Sequence, residues 1–387
     1  MKEGAGPLLY LIAGEPSGDL LGGSLMAALK RRTGGQVRFA GIGGSKMIEQ
    51  GLTPLFPMTD LAVFGLAEIL PRLRHLMHRG EETVADIARL KPAALVTIDS
   101  PGFTLRVAQR AVPLGVPRIH YVAPSVWAWK PERAAKIAKY LDHLLALLPF
   151  EPPYFQREGL STTFVGHSAI EGPAGKGDGV GFRARRGLAP DRRVIVMLPG
   201  SRAGEIDRML PVFLETLRRL QQGRAPFTVA VPAPDYLAAK VRAGMEGSGL
   251  ETILLTGDAE KFDAFAAADA ALAKSGTVTL ELVLSGVPAV IAYKVNAISY
   301  LIAKRLQVGK YIGLPNVILD RPLMPELLQY DCTPERLTPE LARLLDDPAA
   351  RAAQLTGGSE IRRLLSPEGK TPSEAAADAV LGVISAR

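Results

Sequence analysis

The sequence predicts an α/β protein of two domains, each a parallel sheet covered by helices. Three observations carry this. At 387 residues the chain is long for one hydrophobic core. Short runs of Val, Ile, Leu and Ala, typical of strands buried on both faces, alternate with stretches of helical period in both halves. Several runs end in a Gly- or Ser-containing turn that opens a helix.

Composition is that of a soluble globular protein, 47% apolar and 22% charged, with Gly and Pro spread along the chain. The lone cysteine, Cys332, cannot form an internal disulfide and reads as a small buried hydrophobe, which fits a reducing cytoplasm. The apolar run Leu8 to Ala13 is too short to span a membrane, and no signal-peptide cleavage pattern follows a basic head. A net charge of +7 fits an anionic partner or simple solubility. Nucleic acid is not expected, because aromatics make up only 6%.

Leu8 to Ala13 is the first strand. Gly14 to Asp19 then turns the chain into a helix with the stripe Leu20, Leu21, Leu25, Met26 and Leu29. The glycine spacing is not the dinucleotide fingerprint. Glu15, Ser17 and Asp19 fall at the carboxyl end of a strand, where open α/β sheets bind ligands, although Ser17 and Asp19 also suit capping of their own helix. Val37 to Gly41 is the second strand. Asp60 to Gly80 is the most amphipathic stretch. Leu66, Ile69, Leu70, Leu73, Leu76 and Met77 share one face, and Arg72, Arg74, His75, His78 and Arg79 flank it. Pro71 should start or kink a helix there. The face suits either a core contact or an anionic membrane surface and acyl chains.

Ala93 to Ile98 is a buried strand ending at Asp99-Ser100-Pro101-Gly102-Phe103. Asp99 is a candidate general base there, or the carboxylate of an Asx-turn or a helix N-cap. Val116 to Val122 and Leu144 to Leu148 are further strands. Between them, Trp127 and Trp129 lie beside Lys130, Arg133, Lys136 and Lys139. Thr163 to Ser168 closes the first half. Glu171 to Gly181, rich in Gly, Pro and Ala, reads as a linker.

The second half repeats the alternation. Val194 to Leu198 is a strand stopped by Pro199-Gly200-Ser201, and Arg202 precedes a helix containing Met209, Leu210, Phe213 and Leu217. Helix N–H groups, the helix dipole and an arginine fork make such a turn an anion site, though Ser and Gly also serve there as caps. Ala270 to Ala273 runs into Lys274-Ser275-Gly276-Thr277 and a helix through Leu280, Glu281, Leu282 and Leu284. Two such turns at equivalent places in one sheet point to a pyrophosphate. Tyr293 to Gly313 contains no Asp or Glu, and Lys294, Lys304, Arg305 and Lys310 accompany Tyr300, Leu301, Ile302, Leu306 and Tyr311, a second basic and apolar surface. From Pro339 onward the chain is helical.

The motifs IAGEPSGDLLGG, GIGGSKM, FPMTDLAVFGLAEILPRL, IDSPGF, HYVAPSVWAWKPER, LALLPFEP, FVGH, LPGSRAGEI, SGTVTLEL, GLPNVI and PELLQ run in one order through the chain. In that order and spacing the chain resembles the lipid-A-disaccharide synthases, from Leu11 to about Leu345. The resemblance implies a GT-B fold, two Rossmann-like domains with parallel sheets facing across a cleft. Residues 1–170 would be the acceptor- and membrane-facing domain, 185–345 the UDP-sugar domain, and about 346–387 a helical return to the first. It implies transfer of 2,3-diacylglucosamine from its UDP derivative to 2,3-diacylglucosamine 1-phosphate (lipid X). The β(1→6) disaccharide 1-phosphate and UDP would form with inversion, as a step of lipid A biosynthesis at the inner membrane of a Gram-negative cell. The enzyme would be cytoplasmic and peripheral to that membrane. A homodimer made by exchange of C-terminal segments is a further implication.

Asp99 matches the family's essential aspartate and is the expected base, with Glu15 the alternative. Arg202 matches the essential arginine that would neutralise the leaving pyrophosphate. Gly200, Ser201, Ser275, Gly276 and Thr277 would complete that site, Glu281 would accept from ribose hydroxyls, and Asn316 matches a position in the nucleotide cleft. The acylated substrates favour membrane or acyl contact for the Leu66 to Met77 face. Arg106, Lys130 and Arg133 become candidates for the acceptor's phosphate, with Ser17 on the acceptor side. No Asp-x-Asp triplet or His/Cys cluster occurs, so neither metal nor cofactor is expected. Gly102 departs from the Asp or Glu expected in many relatives. A UDP-N-acetylglucosamine 2-epimerase would share the nucleotide site without needing the amphipathic face, and a non-enzymatic surface binder would need only the charge.

Overall fold

In a computed structural model of the chain, residues 6–61, 66–257, 260–296 and 309–386 are described, residues 66–72 by their backbone alone. The chain forms two compact units, Met1–Ser168 with Leu365–Arg387, and Ala169–Leu364.

The first unit is built on six parallel strands. They are β1 (Leu8–Ala13), β2 (Arg38–Ile42), β3 (Ala94–Ile98), β4 (Arg118–Tyr121), β5 (His143–Ala146) and β6 (Thr162–Phe164), in the order β2-β1-β3-β4-β5-β6. Every residue of β3 is buried, because helices cover both faces. Tyr10, Ile12, Leu95 and Leu144 point into one core with Ile87, Leu105, Val107 and Ile137 from the covering helices. On the other face, the terminal helix Pro372–Ser385 packs on Pro16–Arg32. That terminal helix opens with a full capping box between Thr371 and Glu374. The strand order reverses between β1 and β3, which leaves a crevice at their carboxyl ends.

The second unit has its own parallel sheet. Its strands are β7 (Val194–Leu198), β8 (Thr228–Ala233), β9 (Glu251–Thr256), β10 (Ala270–Lys274), β11 (Ala289–Tyr293) and β12 (Glu326–Leu328), in the order β12-β11-β10-β7-β8-β9. Counted from β7 this is the 3-2-1-4-5-6 doubly wound order, with its reversal between β7 and β10. The two phosphate-type turns of the sequence follow those two strands.

Two expectations shift. Glu171 to Gly181 is not a free linker. Gly177 and Gly179 lie so close to the Phe262 and Ala266 backbones that a Cβ would clash, and the helix Gly179–Arg185 packs on Lys261–Ala267. The return to the first unit begins at Leu365 rather than near 346. Helix Pro348–Leu365 stays with the second sheet because the Gln354 amide bonds both the N–H (2.8 Å) and carbonyl (3.2 Å) of Ala289, and Arg362 donates to the Leu284 carbonyl. Of the two roles expected for Pro71, starting or kinking a helix, its place inside the helix Leu66–Leu90 leaves the second. Among the described residues no helix is long and apolar enough to cross a membrane.

Candidate active site

At the first crevice, the turns after β1 and β3 meet. Asp99 (φ 49°), Ser100 (φ 44°) and, after β4, Val122 (φ 85°) all occupy left-handed backbone, costing about 1–3 kcal/mol each. This strain is concentrated at the carboxyl ends of β3 and β4. It is held in place by the Asp99 N–H bonded to the Tyr121 carbonyl (2.9 Å) and by Thr104 Oγ1 bonded to the Asp99 carbonyl (2.6 Å). Ser17 Oγ donates to Asp99 Oδ2 at 3.1 Å, joining the two turns. Gly14 permits the approach, since a Cβ there would lie 3.0 Å from the Ser100 Cβ and Oγ.

Asp19 does not cap its own helix. Its carboxylate accepts from the N–H groups of Gly44 (2.8 Å), Lys46 (3.0 Å) and Met47 (3.0 Å), capping the next helix, Ser45–Glu49, and fixing the turn after β2. Glu15 sits at the N-cap of Pro16–Arg32, exposed and making no capping bond.

Glu15 and Ser100 line a cavity of about 270 Å³ that is otherwise mostly apolar, with Leu61, Leu73, Leu76, Met77, Phe103 and Val107 on its walls. The amphipathic face is therefore not simply core. Leu76 is half-buried, and Leu73 and Met77 stay 38% and 45% exposed while facing this cavity. The side chains of Leu66, Ile69 and Leu70 lie outside the described residues. Arg79, counted from sequence with the basic rim, instead anchors the helix: it pairs with Asp60 and Glu82, each at 2.6 Å, and covers the Phe56 ring at 4.5 Å. Gly102 lines the same cavity, and a Cβ there would meet nothing within 4 Å. Packing therefore leaves room for a Cβ at that position.

Arg106 borders this cavity and a second one that Arg133 also lines; Lys130 (5.1 Å) and Arg133 (5.6 Å) both lie over the Trp129 ring, but Lys130 does not line the second cavity. Sequence reasoning passed over Glu151, in the LALLPFEP motif. It accepts from the N–H groups of Leu147 (3.1 Å) and Leu148 (3.0 Å) and from Trp127 Nε1 (3.2 Å), tying the loop after β4 to the end of β5. Burial pushes its carboxyl up to about 7 against the pull of those three donors.

In the second unit, Gly200 adopts φ 135°, and its missing Cβ leaves the space taken by Glu205. Glu205, 5% exposed, accepts from the Ser201 N–H at 3.0 Å, and Lys274 Nζ pairs with its other oxygen at 3.0 Å. Burial alone would raise this carboxyl, but Lys274, the Ser201 N–H and Arg202 together hold it below its usual range. Arg202 is the N-cap of Ala203–Gln221, and its side chain is 81% exposed, 3.7 Å from Glu205 at the nearest. Tyr236 donates to the Ser201 carbonyl. As at any helix start, the first N–H groups, at Ala203 and Gly204, have no carbonyl partner within the helix. Glu205 was missed as a site residue, although a glutamate three residues past an N-cap is a recognisable signal.

At the turn after β10, the Ser275 N–H is spent on the Ala292 carbonyl (3.0 Å), and its hydroxyl lies 3.4 Å from the Ile312 carbonyl. Gly276 and Thr277, which lead into the helix Val278–Leu284, are left to supply donors. Glu281 Oε2 is 2.9 Å from Lys261 Nζ. Asn316 is 1% exposed and its amide is used within the fold. It accepts from the Met324 N–H (2.8 Å) and donates to the Met324 carbonyl (2.8 Å) and Glu326 Oε1 (2.7 Å). Glu326 also accepts from the Ile312 and Gly313 N–H groups, both at 3.0 Å. Asn316 therefore positions the loop beside Ser275 rather than presenting its own amide to a ligand. Tyr300, Leu301, Ile302, Lys304, Arg305 and Leu306 of the second basic surface lie outside the described residues.

Residues 9–380 match the model of the lipid-A-disaccharide synthetase family. The chain is 53% identical over 382 residues to the lipid-A-disaccharide synthase of Rhodospirillum centenum, covering 98% of this chain and 95% of the relative. Among solved structures it resembles the glycosyltransferase of kitacinnamycin, with a TM-score of 0.66 at 16% identity, covering 97% of this chain and 99% of that one. It also resembles a UDP-GlcNAc 2-epimerase from Neisseria meningitidis bound to UDP-GlcNAc, with a TM-score of 0.61 at 10% identity, covering 98% of this chain and 100% of that one. At such identities these two report the fold, which is that of GT-B proteins with two parallel-sheet units. The sequence match goes further than fold: the chain belongs to the lipid-A-disaccharide synthetase family of glycosyltransferases.

Proposed function

We propose that the chain transfers 2,3-diacylglucosamine from UDP-2,3-diacylglucosamine to the 6-hydroxyl of 2,3-diacylglucosamine 1-phosphate, releasing UDP and inverting the anomeric carbon. The observation that carries this reading, beyond family membership, is the apolar cavity of about 270 Å³ opening beside Glu15 and Ser100, next to the turn that holds Asp99. A soluble sugar would gain nothing from Leu73, Leu76, Met77 and Phe103 there, whereas an acylated acceptor buries its chain at about 0.8 kcal/mol per methylene.

In this reading Asp99 takes the proton of the attacking hydroxyl, oriented by Ser17, with Glu15 the alternative base. Arg202, the N–H groups at Ala203 and Gly204, and those at Gly276 and Thr277 stabilise the diphosphate as it departs. Glu281 accepts from the ribose. The exposed Leu73 and Met77 support a peripheral place on the inner-membrane surface. A homodimer by exchange of C-terminal segments would involve the helix Pro372–Ser385, which in the single chain packs on Pro16–Arg32.

The test is product analysis with the purified chain. Formation of the β(1→6) disaccharide 1-phosphate supports the reading. Turnover of an unacylated UDP-sugar alone, to its 2-epimer, would replace it with the epimerase that the shared fold also accommodates.

A further inference from the structure

A second cavity, of about 180 Å³, adjoins the apolar one, and Pro101 and Arg106 belong to the walls of both. Its polar lining is Arg106, Gln109, Arg133, Lys136 and Tyr140, with no Asp or Glu. Arg106 and Gln109 lie three residues apart on the helix Thr104–Arg110, and Arg133 and Lys136 three apart on Arg133–Ala138, so each pair shares a helix face. Some other arginines of this unit have acidic partners: Arg118 has Asp142, Arg79 has Asp60 and Arg89 has Asp86. Arg106, Arg133 and Lys136 have none among the described residues. Three cations facing one concavity repel one another unless an anion joins them, and such a recess concentrates anions. The half-buried Tyr140 hydroxyl is raised above its usual range by burial despite Arg133, so it remains a donor at neutral pH.

We propose that this cavity is a phosphomonoester site that seats the acceptor's 1-phosphate while the apolar cavity beside it takes the neighbouring acyl chain. The proposal rests on the transferase reading and adds a place for one functional group. Two guanidinium forks, an ammonium, an amide and a phenol are all donors, which matches the several acceptor oxygens of a phosphate dianion. The pairing of cavities matches the acceptor's chemistry. On that sugar the phosphate and the amide-linked acyl chain occupy adjacent ring carbons, and here the cationic and apolar recesses share a wall. Lys130, grouped with Arg106 and Arg133 from sequence, does not line the cavity.

The experiment compares two acceptors with the full-length chain, the acylated sugar 1-phosphate and the same sugar with a free 1-hydroxyl. The readout is the ratio of their kcat/KM values. In the double variant Arg133→Gln/Lys136→Gln that ratio should fall by about tenfold or more, mainly through KM for the phosphorylated acceptor, as expected for lost charge-assisted bonds. Inorganic phosphate should compete with the acceptor in the parent and lose that effect in the variant. The charge-preserving Arg133→Lys/Lys136→Arg pair should recover most of the ratio, which a folding defect would not allow. An unchanged ratio, or an equal loss with both acceptors, overturns the site. So does loss of binding to phosphatidylglycerol vesicles with the ratio intact, since the cavity would then serve lipid headgroups. A parent that transfers to neither acceptor overturns the transferase reading itself and this site with it.

Discussion

Lys274 Nζ lies 3.0 Å from Glu205 Oε1, a buried ion pair that ties the turn after β10 to the turn after β7. Glu205 passes the constraint on through the Ser201 N–H at 3.0 Å, so one carboxylate shapes the floor beneath Arg202. Lys274→Met leaves Glu205 buried without its partner and should cost about 3–5 kcal/mol of stability. Glu205→Gln keeps the shape but weakens both bonds, and should raise the Kd for UDP by about tenfold with a smaller loss of stability. Thermal unfolding and UDP calorimetry on the two variants check this. UDP affinity unchanged in both would show that the pair is structural only.

Asp99→Asn should abolish turnover while leaving UDP binding within about twofold, because the carboxylate is assigned to the acceptor hydroxyl and not to the nucleotide. Glu15→Gln decides between the two candidate bases. If it abolishes turnover and Asp99→Asn does not, the roles are reversed.

Arg202 carries the charge assigned to the leaving group, and its 81% exposed side chain makes it easy to remove without harming the fold. Arg202→Ala should lower kcat by roughly 10²–10³, the scale of one lost transition-state donor. Steady-state kinetics over a range of UDP-sugar concentrations, giving kcat and KM separately, is the measurement. A change confined to KM would mean that Arg202 only binds the ground state.

Glu151 gives a pH signature. Burial raises its carboxyl from 4.5 to about 7, so the folded state holds a proton that the unfolded chain releases near 4.5. The stability tied to that proton is fully present below pH 4.5 and is lost as pH rises through about 7. Across that window the parent should lose about 3 kcal/mol relative to Glu151→Gln. Denaturant unfolding of both proteins at several pH values tests it. Parallel pH profiles would contradict the shift.

Much of this was legible in sequence because it is local. Val194 to Leu198 and Ala94 to Ile98 are buried on both faces, and runs of β-branched and aliphatic residues announce that. The turns at Gly200 and Gly276 announce themselves by composition. What escaped depends on distance along the chain. Asp19 caps a helix more than twenty residues away, a partner no local pattern names. Asn316 is expected in the nucleotide cleft, yet its amide is consumed by Met324 and Glu326 and holds the loop near Ser275. The cavity beside Glu15 is assembled from segments around 14, 61, 76 and 103, and only packing reveals it.

The central claim is tested most directly by UDP release from UDP-2,3-diacylglucosamine, followed with and without 2,3-diacylglucosamine 1-phosphate. Release that depends on the acceptor and matches disaccharide formation one for one is the expected result. Release at the same rate without the acceptor would contradict a transferase.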